Sequence, residues 1–131
     1  MTVEDYVKEI VVRGLRDYIQ AGEVRSVVRR MGGVTTDHEV RSVTLAIVRA
    51  VLKQQLMTIG GLVPGEVSST IGGLVKSEFR EWQVPIEEAI ARVTREWDAL
   101  GRLPSIGEVF WLSNTGKGEQ KGREWEAEEA S

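Results

Sequence analysis

Residues 85–115 constrain this chain more than any other stretch, because they spell a helix, a hard stop and a strand in close succession. Ile86, Ile90, Val93, Trp97 and Leu100 recur at helical spacing on one face, and Ala89 widens the stripe. Pro85 suits the first helical position, where its missing N–H would have had no intrahelical partner. Glu87 and Glu88 fall in the first turn, where the helix dipole favours negative charge, and Glu88 precedes Arg92 by one helical turn. Gly101 can close the helix in a left-handed conformation, and Pro104 keeps it from resuming. Glu108, Val109, Phe110, Trp111 and Leu112 then read as a strand. Val109 and Trp111 would face one way, Phe110 and Leu112 the other, so both faces need cover. The helix can supply one cover; the other must come from elsewhere in the chain or from a partner. Residues 114–118 read as a turn.

Upstream, Thr2 and Asp5 form a helix-start pattern, and an apolar stripe of Val3, Tyr6, Val7, Ile10, Val11, Leu15, Tyr18 and Ile19 predicts one long helix up to Ala21-Gly22. A shorter helix follows, with Val24, Val27, Val28 and Met31 inward and Arg25, Arg29 and Arg30 outward. That basic face is either solvated and paired with acids or a contact for an acidic partner or phosphate. Thr36 and Glu39 repeat the start pattern, and Val40, Val43, Leu45, Ile47, Val48, Val51 and Leu52 leave the next helix apolar around so much of its girth that it belongs in the core. His38 is the single histidine, and no ligand set or nucleophile converges with it in the sequence.

Residues 58–69 and 70–81 form a tandem twelve-residue repeat with seven identities. Two units are too few for a solenoid, and the paired glycines point to a lengthened loop or hairpin. Neither these glycines nor Gly116-Lys117-Gly118 matches a phosphate-binding loop. Residues 119–131 are polar and finally acidic around Trp125, which reads as a disordered tail with one aromatic anchor.

The expected fold is mainly α with a small β element (α+β): a helical bundle with a C-terminal strand or wing-like hairpin. One globular domain is expected over residues 1–118, divided into N-terminal helices at 1–33 and a second part at 36–118. At 131 residues the chain can bury a real core, and the absence of cysteine excludes disulfides and thiol chemistry. No apolar run is long enough to cross a bilayer and no leader pattern is seen, so a cytoplasmic location is expected by default. The net charge of −3 divides unevenly, with +2 over residues 1–53 and −5 over residues 54–131.

The order of helices, a short strand at residues 56–59, a helix, then a strand and Gly-rich turn resembles a winged helix-turn-helix domain. The resemblance covers residues 36–120, with Pro85–Leu100 in the place of the recognition helix and Val109–Gly118 in that of the wing. It implies DNA binding through Arg92, Arg95 and Arg102 on the helix and Lys117, Lys121 and Arg123 on the wing, and a homodimer through the long N-terminal helix.

The residues themselves favour a different first reading. Glu87, Glu88, Glu96 and Asp98 share the helix with those arginines and would repel phosphate. Aromatic residues ringed by charge are the usual energetic centres of protein interfaces, which singles out Trp82, Phe110 and Trp111, together with Arg25, Arg29 and Arg30. The expected function is therefore a non-enzymatic protein-binding module, a small regulatory or immunity-type protein; DNA binding is the alternative. No catalytic motif is complete, and no cofactor or metal is expected.

Overall fold

The computed structural model describes residues 1–67, 75–105 and 108–130. Among the described residues, five helices, α1 (Val3–Arg13), α2 (Ala21–Gly32), α3 (Asp37–Lys53), α4 (Ile86–Leu100) and α5 (Gly116–Ala130), accompany a four-stranded antiparallel sheet. The strands are β1 (Ile19–Gln20), β2 (Met57–Val67), β3 (Val75–Glu81) and β4 (Trp111–Asn114), in the spatial order β1-β4-β2-β3. The fold is thus α+β and mainly helical, as the apolar periodicities require.

The helix starts follow the capping chemistry. Thr2 and Asp5 cap α1 reciprocally: Asp5 N–H donates to Thr2 Oγ1 at 3.2 Å and Thr2 N–H donates to Asp5 Oδ2 at 2.9 Å. Thr36 Oγ1 accepts from Glu39 N–H at 3.2 Å at the start of α3. Gly101, at φ 66°, closes α4. Within α3, Val40, Ile47, Val48 and Val51 are buried, while Val43, Leu45 and Leu52 pack against the core's margin. This helix meets α1, α2, α4 and β2, which explains its broad apolar girth.

Four expectations change. The N-terminal helix stops at Arg13, with Gly14 as its C-cap, and Ile19 and Gln20 cross to β4 as a short strand. At this helix end Asn114 Nδ2 donates to Val11 O at 3.0 Å, while Leu15 N–H turns to Val12 O, and the Asn114 side chain occupies the space that a Cβ on Gly14 would need. Tyr6, Val7, Ile10 and Val11 are buried against the rest of the chain, so α1 has no long free apolar stripe for a dimer seam. The repeat, by contrast, holds the hairpin expected of it: β2 and β3 pair antiparallel, and residues 68–74 lie outside the described residues.

The segment Val109–Gly118 is not a two-stranded wing: β4 lies inside the sheet and Gly116 already begins α5. The expected polar tail is largely this helix, packed on α1. Its buried residues are Gly118 and Gly122, so it docks by close backbone approach instead of by an apolar stripe. A Cβ on Gly122 would stand 2.9 Å from Leu15 Cδ2 and 3.3 Å from Val11 Cγ1, and one on Gly118 would strike the Leu56 carbonyl. The start of α5 also caps the end of α3. Thr115 Oγ1 donates to Gln55 O at 2.6 Å, Thr115 N–H to Leu56 O at 3.0 Å, and Lys117 Nζ to Gln54 O at 2.8 Å.

Glycine-to-alanine changes should therefore split by position. In a free helix interior the change stabilises by about 1 kcal/mol, but Gly118→Ala is expected to lower stability by roughly 1–3 kcal/mol through overpacking. Gly116→Ala, with open space around its Cβ, should show no loss. Urea unfolding of the two variants checks the contrast.

Candidate functional site

The sheet separates a core face from an open one. Ile19, Leu112 and Ile59 lie in register across β1, β4 and β2, and all are buried, with Phe110 beside them at 1% exposure. The alternate row, Gln20, Trp111 and Gly60, points the other way. Leu62 and Phe79, paired across β2 and β3, continue that second face and are half-buried like Trp111. The first row is fully buried, whereas Gln20, Trp111, Leu62 and Phe79 are only half-buried, so the second face is the less covered of the two.

Tyr18 completes the open face. It is 37% exposed, and its ring stacks on Phe79 with centroids 5.3 Å apart and planes at 25°. The two rings come from opposite edges of the sheet, so their contact spans its width. Gly60, between Trp111 and Glu81 in register, contributes no side chain to the row. Beside Trp111 a surface cleft of ≈ 390 Å³ is lined by Arg13, Arg16, Tyr18, Gln20 and Glu23. Its cations are partnered: Arg13 reaches Glu9 at 2.8 Å and Glu23 at 3.4 Å, and Arg16 reaches Glu126 at 2.6 Å. The result is an aromatic strip with a charge-balanced rim.

The residues singled out in the sequence scatter. Phe110 is a core residue, because its strand parity turns it toward the helices, and it cannot anchor a partner. Trp111 takes the opposite parity and lies on the open face. Trp82 is half-buried at the end of β3, with the Arg92 guanidinium carbon 3.9 Å from its ring centroid. It lines a separate apolar cleft of ≈ 320 Å³ with Leu52, Met57, Val84, Ile86 and Ala89. Arg25, Arg29 and Arg30 gather on α2; Arg29 and Arg30 are exposed, while the Nε of Arg25 is buried without a hydrogen-bond partner.

The candidates for phosphate contact are mostly engaged. Arg92 pairs with Glu96 at 3.5 Å rather than with Glu88, Arg102 with Glu108 at 2.7 Å, and Lys121 with Glu124 at 3.4 Å. Lys117 caps α3 and Arg123 lies 3.7 Å from Glu119. Arg95 stands exposed on α4. Arg41 pairs with Asp98 at 2.7 Å in the cleft that also holds His38. Among the described residues no cluster of His, Asp or Glu could hold a metal ion, and no helix is long and apolar enough to cross a membrane.

Sequence reasoning missed Tyr18, Leu62 and Phe79. Tyr18 fits the helical stripe of α1 as well as it fits a strand entrance, and the repeat drew attention to its glycines instead of to the alternation around Phe79. The register of the hairpin was the missing information.

One electrostatic feature shapes the approach to β4. Glu108 accepts from both Arg102 guanidinium nitrogens at 2.7 Å, and from the Ser105 N–H and hydroxyl at 2.8 Å. These bonds, that from Arg102 foremost, hold its carboxyl down at about 2. Immediately after it Val109 takes φ 73°, an uncommon conformation for a β-branched residue, and Phe110 N–H donates to Glu108 O at 3.0 Å. That tight turn delivers Phe110 to the core and Trp111 to the open face.

No family model matches the chain, and neither a curated protein nor a solved structure matches it.

A carboxyl whose folded value is depressed contributes stability that is complete above its ordinary value and disappears as pH falls through the folded one. For Glu108 the window runs from about 4.5 down to about 2. Asp5 and Glu87 are lowered as well, so the readout is a difference between proteins. Wild type should exceed Glu108→Gln in thermal stability near neutrality, and the two curves should converge as acid is added through that window.

Proposed function

We propose that this chain is a non-enzymatic protein-binding module whose docking surface is the open face of the sheet. The observation that carries the reading is the Tyr18–Phe79 stack beside Trp111, on the less covered face of the sheet. Aromatic residues contribute much contact area at low side-chain entropy, and a charged rim excludes water around them. The engagement of Arg92, Arg102, Lys117 and Lys121 within the chain supports this over nucleic-acid binding, because each would have to surrender an ion pair or a cap to reach phosphate. The immunity-type or regulatory role belongs to the same proposal, since such proteins act by occupying a partner's surface.

A second reading, a DNA-binding regulator, has one supporting observation. The order α1-β1-α2-α3-β2-β3 runs helix, strand, two helices and a hairpin, which is the order of a winged helix. In that reading α3 takes the recognition place and the β2–β3 hairpin that of the wing, with α4 and β4 as additions. Asp37 and Glu39 open α3, and Arg41 and Arg49 on it are bonded to Asp98 and Glu87. Both features work against phosphate contact.

The test compares immobilised wild type with Tyr18→Ala and Trp111→Ala, after circular dichroism shows each variant folded. Loss of an aromatic anchor is worth about 1–2 kcal/mol or more, which is roughly tenfold or more in affinity. A discrete protein should be retained by wild type through nuclease treatment, be weakened by both variants and be unaffected by Arg95→Ala. Equal retention by all variants would remove the open face from the account. Retention of duplex DNA that falls steeply with salt would favour the second reading.

A further inference from the structure

The outward edge of β3 is the last in the sheet order, and its hydrogen-bonding phase can be read from the register. Trp82 N–H donates to Ile59 O at 2.9 Å, and Gly61, Leu62 and Val63 pair with Arg80, Phe79 and Glu78. In an antiparallel ladder, bonded and non-bonded pairs alternate. Glu78, Arg80 and Trp82 therefore direct their backbone groups to β2, while those of Ser77, Phe79 and Glu81 point outward. Among the described residues none of these outward groups has a backbone partner. Natural edges are commonly guarded by charge, and the charges here alternate in sign along the strand: Glu78 and Arg80 flank Phe79, and both are exposed.

We infer that the chain pairs with a second copy of itself through the β3 edges, antiparallel, with the two-fold axis at Phe79. Three features select this arrangement. Placing the axis at Phe79 brings outward N–H and C=O groups of one copy against outward groups of the other, so that Phe79 bonds to Phe79 and Ser77 to Glu81. It sets Glu78 of each copy opposite Arg80 of the other in a non-bonded pair, where side chains approach most closely, and symmetry supplies this contact twice. Moving the axis by one residue to Glu78 would still let Ser77 bond to Phe79 of the other copy, but it would oppose Glu78 to Glu78 in the closest, non-bonded pair, so charge and not backbone phase selects the axis at Phe79. Finally, residues directly opposite in an antiparallel pair project from the same side. The two Tyr18–Phe79 stacks would then meet at the axis, and the open faces of the copies would form one continuous aromatic surface. The inference does not rest on the protein-binding reading, because it uses the strand edge and its charges, whereas that reading uses the face.

Sedimentation velocity over a concentration series tests it with wild type, Arg80→Glu, Glu78→Arg and the double variant. Wild type should approach twice the 14.6 kDa of the chain. Each single change turns two attractive contacts into repulsive ones and should weaken the dimer by about tenfold or more. The double variant restores opposite charges across the axis and should dimerise like wild type. A wild type that stays at 14.6 kDa at every concentration would overturn the inference. So would single variants that dimerise undiminished, or a double variant that fails to recover. Partner capture through the open face could still succeed in a monomer, so the two proposals fail separately.

Discussion

The insertion of β4 between β1 and β2 is the constraint on which the rest of the structure depends. Four residues, Trp111–Asn114, join parts of the chain that are far apart in sequence: Leu112 pairs with Ile19 on one side and with Ile59 on the other. The ends of the strand are tied as firmly. Phe110 O accepts from Ala21 N–H, Asn114 reaches the Val11 carbonyl, and the next residue bonds the Leu56 carbonyl. Without this strand, β1 would have no partner and α5 would lose its position at the end of α3. Such non-local pairing is costly in loop closure, and it is stable here because Phe110 and Leu112 bury fully in the core.

The same insertion produces the surface. A central strand must satisfy two faces, and here one is fully buried and the other only in part. Strand parity then decides the fate of each aromatic: Phe110 goes to the core and Trp111 to the open face, although they are adjacent in sequence. The tight turn at Val109, anchored by Glu108 to Arg102 and Ser105, fixes that parity before the strand begins. A change of one residue there would exchange the two faces. Structure and surface are thus set by one short segment.

Much of the helical part was legible in the sequence because its signals are local. The caps at Thr2 and Thr36, the Gly101 stop and the stripe of Ile90, Val93 and Trp97 all act within a few residues. The hairpin was legible for the same reason, through its repeat and glycines. What escaped depended on distant partners. The end of α1 is met by Asn114, which bonds the Val11 carbonyl, and Ile19 becomes a strand because Leu112 lies opposite. The helix α5 was hidden because its docking face is glycine, which signals a turn or a tail when its neighbour is unknown. The Tyr18–Phe79 contact joins opposite sheet edges, and no local pattern encodes it. Trp111 was found, but telling it apart from Phe110 required the sheet.

The most direct measurement of this account is residue-resolved hydrogen exchange on the dilute protein. If β4 is the central strand, the amides of Trp111 and Ser113, which the register bonds to Gly60 and Thr58 of β2, should exchange only through global unfolding, as slowly as the core of α3, while amides at the exposed C-terminal end of α5 exchange much faster. Exchange of residues 111–114 at the rate of a surface loop would contradict the account, because neither the two faces of the sheet nor the surface built on one of them could then be held in place.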